Sequence, residues 1–143
     1  MSLVRFTEVL GHQTQTDILR RICGSAKPAQ AYLFHGPDGV GKRTVASALV
    51  ARLCCLQAQG EQDACGDCRS CRALERGEHP DLTVIEPDGA SIRIAQVRDA
   101  LKRVRYEPVV GTSKAWIFVN ADRLREEAAN ALLKTLEEPP SRT

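Results

Sequence analysis

"AYLFHGPDGVGKRT" (residues 31–44) is the stretch that decides the fold. A short apolar run at 31–35 ends in a Gly-Pro break. Gly36, four residues, then Gly41 and Lys42 follow in the spacing of a phosphate-binding loop. The run reads as a buried strand. A helix is expected from about Lys42 to Cys55, with Val45, Leu49 and Leu53 on one face. Backbone N–H groups from Gly39 to Thr44 at the head of that helix suit a phosphate, and Lys42 adds a point charge. The departure is Arg43, where the pattern calls for a Ser or Thr hydroxyl to ligate magnesium. A guanidinium cannot ligate a cation, whether it points to solvent or elsewhere. Thr44 carries a hydroxyl, but it lies about 100° further round the helix and replaces that ligand poorly.

Hydrolysis of a nucleotide also needs carboxylates at the end of a neighbouring strand. The strand to inspect lies in "AWIFVNADRL" (115–124), where Val119 and Asn120 stand in place of an Asp-Glu pair. Asp122 comes two residues later, in the expected turn. Two independent losses point to a nucleotide-binding fold without the catalytic equipment.

Around the loop, elements alternate. Residues 13–23 have Ile18, Leu19 and Ile22 at helical spacing, and "LTVIE" (82–86) reads as a strand. Ile94, Val97, Leu101 and Val104 mark another helix, and "AWIFV" (115–119) a third strand. A last helix, about 126–138, places Ala129, Leu132, Leu133 and Leu136 on its apolar side before Pro139 stops it. Such alternation implies an α/β fold with a parallel sheet covered on both faces. Three strands are few for such a sheet, and the sequence stops at "PPSRT". A truncated domain is therefore expected, its sheet missing strands and uncovered near residues 139–143.

A chain of 143 residues, 43% hydrophobic and 27% charged, has the proportions of one globular domain. No apolar run approaches the roughly 18–20 residues of a membrane span, and no signal-peptide segment opens the chain, so a cytoplasmic location is the default. The net charge of +2 does not announce nucleic acid. "RDALKRVR" (98–105) reads as a solvated helix face.

Six cysteines then need a reason, and a reducing cytosol disfavours disulfides. "CGDCRSC" sets Cys65, Cys68 and Cys71 at two-residue gaps, close enough to converge on one ion. Tetrahedral zinc needs a fourth sulfur at about 2.3 Å. Cys54 continues the buried stripe through Val50, whereas Cys55 sits off it and is freer to face the loop. Cys55 is the choice, and Cys23 reads as a core residue.

"FTEVLGHQ" (6–13), "AYLFHGPDGVGK" (31–42), the "CGDCRSC" loop, "HPDL" (79–82) and "NALLKTLEEPP" (130–140) together resemble the N-terminal AAA+ domain of bacterial clamp-loader subunits of DNA polymerase III. "DGASIRIAQVRDAL" and "FVNADRL" resemble the delta-prime type rather than the ATP-hydrolysing gamma/tau type. The resemblance implies a three-layer P-loop NTPase domain over 1–143, incomplete at its C-terminal end, with a zinc-binding insertion at 55–71. It also implies a fourth cysteine upstream of the three. Cys55 fits at a gap of nine residues, while the family's gap is commonly one shorter, so Cys54 stays open.

By that resemblance the chain would be an ATP-inert stator in DNA replication. Its partners would be the gamma/tau and delta subunits, with the sliding clamp and primed DNA reached through the complex. A Ser-Arg-Cys motif would follow residue 143. Two other classes are distinguishable: an active gamma/tau-type ATPase, which the missing carboxylate pair disfavours, and a zinc-ribbon DNA-binding module, for which the basic patch is thin.

Overall fold

The computed structural model describes residues 2–140. In chain order it contains α1 (Gln13–Gly24), α2 (Lys42–Cys54), α3 (Arg69–Glu75), β1 (Leu82–Ile85), α4 (Ile94–Val104), β2 (Ala115–Phe118) and α5 (Glu126–Glu137), with single 3₁₀ turns at Phe6–Glu8 and Ala121–Arg123. β1 and β2 pair in parallel, Leu82 opposite Ala115 and Ile85 opposite Phe118. The connection between them carries α4, as a parallel crossover requires.

The two-residue period of a strand sends the side chains of β2 to different clusters. Ala115 and Ile117 pack with Val50, Ala51 and Cys54 of α2, while Trp116 and Phe118 pack with Val97 and Ala100 of α4 and Ala128 and Leu132 of α5. A third cluster joins Phe6 and Leu19 to Val45, Ala48 and Leu49. α2 thus lies at the centre and is buried over most of its surface, from Val45 to Arg52 and again at Cys54.

Two sequence expectations change. Residues 31–35 form no ladder. Tyr32 and Phe34 pack into the third cluster while Leu33 is 86% exposed, so the side chains alternate as in a strand. A strand is completed by its neighbour's hydrogen bonds, and none is supplied among the described residues. In α5, Leu133 and Leu136 are exposed rather than buried. α5 meets α4 through Ala128 and Leu132, which turns the side bearing Leu133 and Leu136 away from that contact. Of the edge expected at residues 139–143, residues 141–143 lie outside the described part. The basic run on α4 does face solvent at Arg98, Lys102, Arg103 and Arg105. Among the described residues no helix is long and apolar enough to cross a membrane.

Candidate metal centre and phosphate loop

α2 positions a candidate site at each of its ends. At the C-terminal end the helix closes on Cys54, and Cys55 follows in extended backbone. The chain returns through 65–71 so that the sulfurs of Cys55, Cys65, Cys68 and Cys71 all lie within 4.8 Å of one another. Four thiolates around an ion at about 2.3 Å would sit roughly 3.8 Å apart. Cys65 Sγ and Cys71 Sγ are 3.9 Å apart.

Backbone N–H groups surround these sulfurs. Gln57 and Cys65 donate to Cys55 Sγ at 3.5 and 3.4 Å, and Asp67 and Cys68 donate to Cys65 Sγ at 3.4 and 3.3 Å. Cys71 N–H donates to Cys68 Sγ at 3.5 Å. Burial raises the Cys68 thiol, but hydrogen bonds from the backbone of Cys71 and Leu56 and from the side chains of Cys71 and Cys65 outweigh it and bring the group down to about 7. Burial pushes Cys71 up. A set of four soft, closely spaced, amide-solvated sulfurs can hold a metal ion, and its donor chemistry fits tetrahedral zinc.

Cys54 is left out of this group. It is fully buried, its Sγ donates to Ser113 O at 3.3 Å, and burial pushes its thiol up to about 12. Cys23 packs at the edge of the third cluster.

Behind the cysteines lies a buried polar network that no motif but the "HPDL" block announced. Ser70 Oγ donates to Cys54 O at 2.8 Å and contacts His79 Nε2 at 2.9 Å. His79 Nδ1 accepts the Asp81 N–H at 3.2 Å, so the ring proton resides on Nε2 and is donated to Ser70. A Ser-His-Asp trio is therefore present with the wrong tautomer for a base and with all three residues buried. Its role is mechanical. The Asp81 carboxylate accepts the N–H groups of Val109, Val110 and Gly111 at 2.6, 2.8 and 2.8 Å. Burial opposes its charge, but these three bonds hold its pKa below the usual value. The backbone passes close here: a Cβ at Gly111 would meet Cys54 O at 3.1 Å and His79 Cε1 at 3.3 Å, so these neighbours would have to shift by a few tenths of an ångström to admit one.

At the N-terminal end of α2, Gly36, Gly39 and Gly41 take φ of 152°, 75° and 99°, which L side chains rarely adopt. The loop is closed from within. Lys42 Nζ donates to Gly36 O at 2.7 Å and Pro37 O at 2.8 Å and lies 3.6 Å from Asp38. His12 Nε2 is 2.7 Å from Val40 O. Arg43 extends to Glu86, immediately after β1, where Nη1 and Oε1 are 2.8 Å apart. The guanidinium is thus half-exposed and paired. Thr44 is exposed in the first turn of α2, Asn120 is left-handed at φ 53°, and Asp122 is exposed in the following 3₁₀ turn.

Residues 11–143 match the family described as "DNA polymerase III, delta subunit". The chain belongs to this family. Among its relatives, the delta-prime subunit of DNA polymerase III from Pseudomonas aeruginosa is 41% identical over 131 residues, covering 90% of this chain and 40% of the relative. That of Bacillus subtilis is 40% identical over 111 residues, covering 78% and 33%. The tau/gamma subunit of Haemophilus influenzae is 38% identical over 136 residues, covering 94% and 19%. The chain therefore spans at most two fifths of the length of these three relatives, and both subunit types share its pattern.

Proposed function

We propose that this chain is the N-terminal AAA+ portion of a delta-prime-type clamp-loader subunit, a three-layer P-loop domain over 1–143 with a zinc-binding insertion at 55–71. In this reading it serves in the cytoplasm as a stator that does not hydrolyse ATP. The gamma/tau and delta subunits are its partners, and through them it takes part in placing the sliding clamp on primed DNA.

The observation that carries the reading is the chemistry at three positions, one in the phosphate loop and two just after β2. Arg43 replaces the hydroxyl that ligates magnesium, and it is engaged with Glu86. Val119 and Asn120 replace the carboxylates that hold the metal and orient water. Phosphoryl transfer depends on positioning and electrostatic stabilisation, so losing these parts costs several orders of magnitude in rate. The similarity to tau/gamma subunits favours a second reading, an ATP-hydrolysing motor subunit.

Steady-state ATP hydrolysis with magnesium, with and without primed DNA, separates the two. No turnover above background is expected. Magnesium-dependent turnover that disappears in Lys42→Ala overturns the stator reading in favour of the motor.

A further inference from the structure

The two cations of the phosphate loop both face oxygens of the protein itself. Lys42 has its ammonium against Gly36 O, Pro37 O and Asp38. Arg43 reaches across from the first turn of α2 to Glu86, just beyond the carboxyl end of β1. Ligands of parallel α/β sheets gather beyond the carboxyl ends of the strands, so Glu86 places a carboxylate on that side of the sheet. Asp38 and Glu86 together cancel the two positive charges.

We propose that Glu86 is an internal counter-anion of the loop: by pairing with Arg43 it sets the affinity of residues 36–44 for a polyphosphate, and Arg43 is the cation that such a ligand would take in place of magnesium. The inference rests on reading these residues as a phosphate loop without hydrolytic parts. A polyphosphate then competes with Glu86 for a guanidinium able to make two parallel hydrogen bonds to it. Because the pair is half-exposed on both sides, the competition is worth little more than a surface ion pair plus the repulsion of one carboxylate.

Titration of the 143-residue chain with inorganic pyrophosphate, and separately with ATP, in chelator and then in magnesium, tests the proposal. Glu86→Gln is expected to tighten pyrophosphate about fivefold in chelator, about 1 kcal/mol, with no further gain from magnesium. Arg43→Gln in the Glu86→Gln background is expected to abolish the gain. An equal gain for ATP identifies the phosphates as the recognised group, whereas a gain for ATP alone overturns the assignment to phosphate chemistry. Pyrophosphate affinity unchanged in Glu86→Gln, a gain that requires magnesium, or no binding by either protein overturns the proposal. Glu86 is a surface residue, and an unchanged thermal midpoint in Glu86→Gln excludes misfolding as the cause. The stator reading fails on a different measurement, ATP turnover by the unsubstituted chain.

Discussion

α2 offers polar contacts at both ends, about 20 Å apart for its 13 residues, and they differ in depth. At the C-terminal end Cys54 O accepts from Ser70 Oγ and from the Thr112 N–H, and Ser70, His79 and Asp81 are 0%, 6% and 3% exposed. At the N-terminal end the Arg43 and Glu86 side chains are 55% and 52% exposed. A polar group lost from the first end strands its partners away from water, whereas water replaces a partner lost from the second. Substitutions at the C-terminal end of α2 should therefore cost stability, and substitutions at the N-terminal end should be tolerated structurally.

The largest expected effect is at the cysteines. The four sulfurs should hold one zinc, and structural zinc is associated with apparent binding energies on the order of 10 kcal/mol. Metal analysis of freshly purified protein is expected to find about one equivalent. Cys71→Ser should lose it and lose order across 55–71, seen as rapid proteolysis of that segment. Cys55→Ser should lose it and Cys54→Ser should retain it. The reverse result for that last pair would move the fourth ligand and leave the site in place.

Asp81→Ala comes next. It removes the acceptor of three backbone N–H groups at 109–111 in a buried setting, and on the order of 3 kcal/mol of stability should go with it. Denaturant unfolding measures this directly. A loss under about 1 kcal/mol would show that water reaches these amides and that the contrast between the ends of α2 is overstated.

The difference in depth also explains what could be read from sequence. α1 and α4 announce themselves through periodicity, because each has one apolar side to bury, whereas α2, β1 and β2 are legible as apolar runs because they bury more than one side. The cysteine spacing reported a cluster because four sulfurs on a short loop have few other uses. The stripe through Val50 separated Cys54 from Cys55 by a turn angle, which is local geometry. The Ser70–His79–Asp81 network joins α3 and the turn at 79–81 to the end of α2 and to residues 109–111, and no local pattern encodes such a meeting. The strand expected at 31–35 failed for the same reason: its alternation is local, but a ladder belongs to two segments. Leu133 and Leu136 were misplaced because helical spacing gives a face and not the neighbour that covers it. Glu86 was legible only as the end of a strand, since nothing in one dimension connects it to Arg43.

A pH titration sharpens the comparison by a smaller amount. Burial holds the His79 pKa below its ordinary 6.5, so the unfolded chain takes up a proton before the folded one does. This contribution to stability is fully present above about 6.5 and is lost as pH falls from there toward the folded value. Asp81 acts in a lower window. Its depressed pKa contributes stability above about 3.8, lost as pH falls through the folded value. His79→Gln keeps an N–H donor for Ser70 and does not titrate. The thermal midpoint of that variant should therefore fall less than that of the unsubstituted chain between pH 6.5 and 5. Parallel curves would show that His79 does not report on the buried network.

The smallest expected effect on stability is at the other end of the helix. Arg43→Thr restores the hydroxyl that a magnesium-binding loop would carry and removes a half-exposed ion pair worth about 0–1 kcal/mol. Thr also has a somewhat lower helix propensity than Arg, a cost of a few tenths of a kcal/mol in the first turn. The unfolding free energy should therefore move by no more than about 1 kcal/mol, less than for Asp81→Ala. ATP turnover should stay at background as well, because Val119 and Asn120 still lack the carboxylates that would fix the metal and the water. Double replacement to Asp and Glu at 119 and 120 in the Arg43→Thr background is the stringent version. Turnover appearing in Arg43→Thr alone would mean that Arg43, and not Val119 and Asn120 after β2, is the substitution that withholds hydrolysis in the proposed stator.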